Sequence, residues 1–174
     1  MPLPFAERSV DVDLPKRKRN RLVQYDYSTP GAYFVTICTK DRKPLFWENV
    51  GASIARPQDV ELSEYGRITE TGIHSIDRHY PMIKVDHYVI MPNHVHLLLR
   101  IVSEVDGRAM LAPTISTVVQ QMKGHITKQI GYSIWQKLFH DHVIRNEKDY
   151  QRIWNYIEGN PMRWRDDCFY IELG

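Results

Sequence analysis

The sequence predicts an α+β fold: an antiparallel sheet in split β-α-β order, with one further helix toward the C-terminus. Three observations carry this. Four segments rich in β-branched and aromatic residues alternate with segments of helical apolar spacing. Two of the strand segments, 84–90 and 94–102, are divided only by a tight turn at Pro92-Asn93, too short for a crossover, so they pair as a hairpin. Helical patterns then fill the intervals on both sides of that hairpin.

Taken in order, residues 1–22 are Pro-punctuated and charged, an expected extended arm, and 23–174 form one domain. Lys16, Arg17, Lys18, Arg19 and Arg21 make a dense basic run, suited to phosphate contact or else simply solvated. Ser28-Thr29-Pro30-Gly31 is a turn signal, followed by a first strand over 32–39 that is apolar on both faces, as a central strand must be. Residues 40–62, with Pro44, Gly51 and Pro57, read as an irregular excursion. Ile68, Gly72, Ile73 and Ile76 give 67–80 one apolar helical stripe. Residues 103–113 form a loop, and Ile115, Val118, Val119, Met122 and Ile126 predict a second helix over 114–130, with Lys123 and Lys128 among its polar positions. A fourth strand is expected at 140–145. The last helix, 147–158, turns Tyr150, Ile153, Trp154 and Ile157 inward and stops at Gly159-Asn160-Pro161.

Composition narrows the function. The 174 residues, 43% hydrophobic and 25% charged, are those of a water-soluble domain, and no apolar run approaches the roughly 18 residues that span a bilayer. The N-terminal residues lack an apolar signal core, and Cys38 and Cys168 make no disulfide framework, so a reducing cytoplasm is expected. Net charge is only +2, so any attraction to nucleic acid must come from how the charge is distributed.

The chemistry centres on Met91-Pro92-Asn93-His94-Val95-His96-Leu97-Leu98-Leu99. On a strand, His94 and His96 share one face with Leu98, while Val95, Leu97 and Leu99 point into a core. Two imidazoles so placed are half of a divalent-metal site; two solvated histidines on an outer face are the alternative. Tyr156 and Asn160 lie four apart, on one face of the last helix. Packed across the sheet, that helix brings both near the histidines, Asn160 as an oxygen ligand and Tyr156 as a nucleophile toward a metal-polarised phosphodiester. Otherwise Tyr156 is a packed helix-face aromatic and Asn160 a cap. His140-Asp141-His142 also alternates on a strand, but Asp141 would place a charge on its opposite face. We read it as an edge feature, with His142 at most supporting the site. Tyr150, on the same helix, is the second candidate nucleophile.

Read together, these segments resemble the REP-associated tyrosine transposases, single-copy relatives of the HUH single-tyrosine insertion-sequence transposases. The resemblance spans about 21–164. It rests on Gly31-Ala32-Tyr33-Phe34-Val35-Thr36, the block at 91–99, Ile134-Trp135-Gln136, His142-Val143-Ile144-Arg145-Asn146-Glu147 and Tyr156-Ile157-Glu158-Gly159-Asn160-Pro161. It implies a ferredoxin-like fold and an enzyme that cuts and rejoins one strand of hairpin-forming DNA through a 5′-phosphotyrosine, with no nucleotide cofactor. By position, His94 and His96 become metal ligands, Tyr156 the nucleophile, and Asn160 stands where many relatives carry the longer glutamine. The implied metal is Mg²⁺ or Mn²⁺. Lys16, Arg17, Lys18, Arg19, Arg21, Lys123, Lys128 and Arg145 are expected to contact DNA, in a monomer or homodimer of the bacterial nucleoid. A non-cutting nucleic-acid regulator and a metal hydrolase using activated water are the competing readings.

Overall fold

Strand β1 (Gly31–Cys38) runs through the middle of a four-stranded sheet in a computed structural model that describes residues 25–50, 59–105, 107–109 and 111–172. After it come α1 (Glu64–His74), a single turn α2 (Ile76–His79), β2 (Ile83–Ile90) and β3 (His94–Ile101). A minor hairpin of β4 (Glu104–Val105) and β5 (Arg108–Ala109) precedes α3 (Ile115–Ile130), β6 (His140–Ile144) and α4 (Glu147–Gly159). A 3₁₀ turn, Pro161–Asp166, follows α4. The sheet order is β2-β3-β1-β6 with every neighbour antiparallel. Each crossover, through α1 and through α3, therefore skips one strand, which gives the expected ferredoxin-like topology. The basic run Lys16, Arg17, Lys18, Arg19 and Arg21 lies outside the described residues.

The two faces of the sheet are used differently. Tyr33, Val35 and Ile37 of β1 and Val95, Leu97, Leu99 and Ile101 of β3 pack against Ile73, Ile76, Ile115, Val118, Val119, Met122 and Ile126 beneath α1, α2 and α3. On the opposite face a smaller cluster, Leu98 with Ile153 and Ile157, seats α4 beside Phe34, Val89 and Ile144. Alternation along β3 thus sends its odd-numbered residues into the main core and places His94 and His96 under α4.

Local chemistry sets the element ends. Ser63 accepts a hydrogen bond from Gly66 N, so α1 begins at Glu64 rather than at 67 as its apolar stripe alone suggests. Thr114 and Asn146 cap α3 and α4 in the same way, and left-handed Gly131 closes α3. Among its described residues the excursion after β1 holds a short 3₁₀ turn at Lys40–Arg42 and a bridge of Trp47 to Leu62, and it is not peripheral, because Phe46 and Trp47 are buried in the main core. Trp47 Nε1 donates to the Ile90 carbonyl at 2.7 Å and Phe46 N to the Pro92 carbonyl at 3.0 Å. This segment braces the turn that leads into His94. Among the described residues no helix is long and apolar enough to cross a membrane.

Gly66 lets α1 close on that brace. A Cβ there would run into the Phe46 carbonyl oxygen and lie 3.0 Å from Leu62 Cβ. Gly66→Ala should lower stability by about 1–3 kcal/mol in urea unfolding, despite alanine's better helix propensity. Stability equal to or above wild type would show that α1 does not close on Phe46 as described.

Candidate functional site

The pairing of β1 with β3 sets Thr36 opposite His96 and Cys38 opposite His94, all on the face that α4 covers. Both imidazoles are buried, His94 0% and His96 1% exposed, with their Nε2 atoms 3.0 Å apart. Their other nitrogens reveal how the rings are set. Asn93 Nδ2 donates to two carbonyls, Arg42 at 3.2 Å and Phe169 at 2.9 Å, which fixes the amide so that Asn93 Oδ1 faces His94 Nδ1 at 2.9 Å. That oxygen only accepts, so His94 carries its proton on Nδ1 and turns the bare Nε2 lone pair toward His96. His96 Nδ1 meets Thr36 Oγ1 at 2.8 Å. A hydroxyl can donate or accept, so this contact serves either tautomer of His96. With Nε2 protonated, His96 donates to His94; with Nδ1 protonated, two lone pairs converge.

In the second arrangement the converging lone pairs could hold a cation. A 3.0 Å spacing is that of two nitrogens about 2.1 Å from a common ion at right angles. A third donor comes from the chain beyond α4. Asp167 Oδ2 lies 3.9 Å from His94 Nε2, and ligand atoms of His94, His96 and Asp167 all fall within 4.8 Å of one another. Two neutral imidazoles and a carboxylate suit a divalent ion. Burial holds both imidazoles neutral: His96 is pushed down to about 3, and His94 falls well below its usual value through burial, then through the charges of His96 and Arg42.

Helix α4 supplies the phenol. Ile153 and Ile157 point into the sheet, so Tyr156 lies at the edge of the buried stripe, 38% exposed, with its ring against His96 and Phe34. Its hydroxyl stands 3.3 Å from His96 Nε2 and donates to Asp167 Oδ2 at 3.4 Å. Burial, then the Asp167 charge, push the phenol up to about 12, so it is protonated at neutral pH and needs a base to ionise. Asn160 is buried one turn on, and its amide nitrogen has no hydrogen-bond partner among the described residues. With Tyr156, Arg163, Asp166, Asp167 and Cys168 it lines a cleft of about 360 Å³.

The other candidates lie elsewhere. Tyr150 is turned toward β2, its hydroxyl donating to Asp86 Oδ2 at 3.0 Å, and burial with that bond pushes its phenol up to about 12. His142 pairs with Asp149 in the first turn of α4 at 2.7 Å, and β6 is an edge strand. Lys123 Nζ is spent on the Gln136 and Lys137 carbonyls, at 2.6 and 3.3 Å. These bonds make it a brace between α3 and the following loop, whereas Lys128 and Arg145 are exposed. Asp167, Asn93 and Thr36 escape sequence reasoning. Asp167 stands in an acidic pair typical of surfaces, and Asn93 looks like a turn former. Thr36 carries a weak signal, since period two places it on the face of Phe34.

No family model matches the chain. A protein of uncharacterised function from Haemophilus influenzae is 30% identical over 175 residues, covering 90% of this chain and 94% of its own length. A second protein of that organism, provisionally named a REP-associated tyrosine transposase, is 26% identical over 79% of this chain and 74% of its own length. Among solved structures, a REP-associated tyrosine transposase bound to a REP hairpin superposes with a TM-score of 0.53 at 23% identity. That likeness covers 82% of this chain and 73% of the other, and it supports the ferredoxin-like fold.

The buried neutral imidazoles make stability depend on pH. In the unfolded chain they titrate near 6.5, whereas native His96 holds out to about 3. Between those values the unfolded state binds protons that the native state refuses. Without divalent metal, stability should therefore hold above pH 6.5 and fall toward pH 3, by about 1.4 kcal/mol per pH unit for His96, with His94 adding to the fall in the same direction. Urea unfolding in chelator should show this slope, and His96→Asn should flatten it by about one proton. An unchanged slope in that variant would contradict the burial of a neutral ring.

Proposed function

The chain belongs to the REP-associated tyrosine transposases, and from that premise we propose that it nicks and rejoins one strand of hairpin-forming DNA through Tyr156. The observation that carries this reading is the meeting of the Tyr156 hydroxyl, 3.3 Å from His96 Nε2, with the His94–His96 pair. His94, His96 and Asp167, with Asn160 nearby, are the residues that would hold a Mg²⁺ or Mn²⁺ ion, which when bound polarises a phosphodiester oxygen and takes up transition-state charge.

The chain's own groups do the rest. The Asp167 carboxylate, 3.4 Å from the phenol, would take the proton that Tyr156 must lose on whichever of its two oxygens does not hold the ion. The Tyr156 oxygen then bonds to phosphorus as the bond between phosphorus and the 3′ oxygen breaks. The 3′ oxygen takes up a proton and leaves as a hydroxyl, while the 5′ phosphate stays on the tyrosine. Reversing the step rejoins a strand without an external energy source, because one ester replaces another. Tyr150 is not suited to this role, since its hydroxyl is bound to Asp86. Tyr156 also reaches the imidazoles of its own chain, so a single copy holds every group the reaction needs.

Incubation with a hairpin oligonucleotide and Mn²⁺ should give an adduct that survives SDS with the unsubstituted protein and with Tyr150→Phe. Tyr156→Phe should give none while still binding the hairpin. An adduct from Tyr156→Phe moves the nucleophile elsewhere, and hairpin binding with no adduct from the unsubstituted protein leaves a non-cutting binder. Separately, Asp167→Ala should weaken Mn²⁺ binding by at least about tenfold in calorimetry. Unchanged affinity would remove Asp167 from the ligand set.

A further inference from the structure

The turn after β1 passes through two successive non-glycine residues in the left-handed region, Asp41 at φ 57° and Arg42 at φ 53°. Residues with a Cβ seldom adopt that conformation, and it persists only where the surroundings impose it. Here they do. Thr39 Oγ1 donates to the Lys43 carbonyl at 2.8 Å and Lys40 N to the Ile134 carbonyl at 2.7 Å. Asn93 Nδ2 donates to the Arg42 carbonyl at 3.2 Å, the same amide whose oxygen orients His94.

The consequence is the direction of the Arg42 side chain. Its guanidinium lies over the Phe169 ring, Cζ 5.2 Å from the centroid, with Nη1 3.5 Å from the Cys168 carbonyl. Phe169 in turn packs on His94, ring centroids 4.6 Å apart. Arg42 is exposed, and none of the ion pairs among the described residues includes it. Stacking on Phe169 leaves the outer edge of the fork open to solvent, and a guanidinium edge is a good match for phosphate oxygens. The fold thus holds a cation with no ion-pair partner among the described residues one aromatic ring from the imidazole pair.

We infer that Arg42 binds a backbone phosphate of the DNA strand, the one next to the phosphate that Tyr156 attacks. Phe169 lies against both the guanidinium and the His94 ring, so a strand that continues past Phe169 from the imidazole pair brings its next phosphate to Arg42. The identity of that phosphate rests on the strand-transfer reading above; the contact itself requires only that single-stranded DNA cross the site. Arg42 is in this account a positioning residue.

The test is hairpin binding by the Tyr156→Phe protein without divalent metal, measured by fluorescence anisotropy over a salt series. The oligonucleotide carries a single-stranded flank in which one methylphosphonate, a neutral phosphate, is walked along the strand. Arg42→Gln, which keeps the stem on Phe169, should weaken binding by about tenfold and reduce the log–log salt slope by about 0.7, the share of one single-strand phosphate. Arg42→Lys should keep the slope. One methylphosphonate position should cost the Tyr156→Phe protein the same loss and cost the Arg42→Gln version nothing more. An unchanged slope with a lowered melting temperature would make Arg42 a structural brace and overturn the inference, as would losses that add at every position. Coupling at one position together with no adduct from the unsubstituted protein would sink the strand-transfer reading alone. An adduct without such coupling would sink only the role of Arg42.

Discussion

Two buried imidazoles that turn their Nε2 atoms on each other constrain everything around them. Neutral rings so placed need their outer nitrogens satisfied, and the sheet provides this from two directions, Asn93 for His94 and Thr36 for His96. Asn93 is the more connected of the two. Its single amide joins the strained turn at Arg42, the C-terminal segment at Phe169 and the His94 ring. Three stretches distant in sequence are thereby registered on one atom pair. A buried network of this kind is stable only when every member is paired, so the orientation of His94 and the course of the chain near Phe169 stand or fall together.

Helix α4 is mounted more lightly than the helices on the other face. Its fully buried apolar contacts reduce to Ile153 and Ile157 on Leu98, against a large continuous cluster under α1 and α3. Polar and aromatic contacts make up the difference at its outer side. The β2 strand bulges between Val85 and His87, and residues there reach α4: Asp86 binds Tyr150, and His87 stacks on Trp154 with centroids 4.3 Å apart. Arg100 holds the Asp86 carboxylate by two bonds of 2.8 Å. The helix that carries Tyr156 is therefore set in angle by a bulge on the far strand. Tyr150, the second candidate nucleophile, is one of its fastenings.

How much of this was legible in the sequence follows from the range of the interactions. Period-two alternation from His94 to Leu99 is local, and it correctly sorted the histidines from the core residues. The apolar stripe of α3 and the Gly159-Asn160-Pro161 stop of α4 are local too. Contacts between distant segments leave no such trace. Phe46 and Trp47 sit in a Pro-bearing stretch without periodicity, yet they are buried, because their anchoring bonds run to Pro92 and Ile90. Asp167 reads as a surface acid until the turn after α4 folds it back over His94. Lys123 looked like an exposed helix cation, and only the approach of the 136–137 carbonyls shows otherwise.

The proposed chemistry requires one cation shared by the two imidazoles within reach of the Tyr156 phenol. Crystals grown with Mn²⁺ and measured at the manganese absorption edge address this directly. A single strong anomalous peak between His94 Nε2 and His96 Nε2, touching the Asp167 carboxylate with the phenol beside it, is the predicted result. A peak seated elsewhere, with the two nitrogens still hydrogen-bonded to each other, would contradict the account.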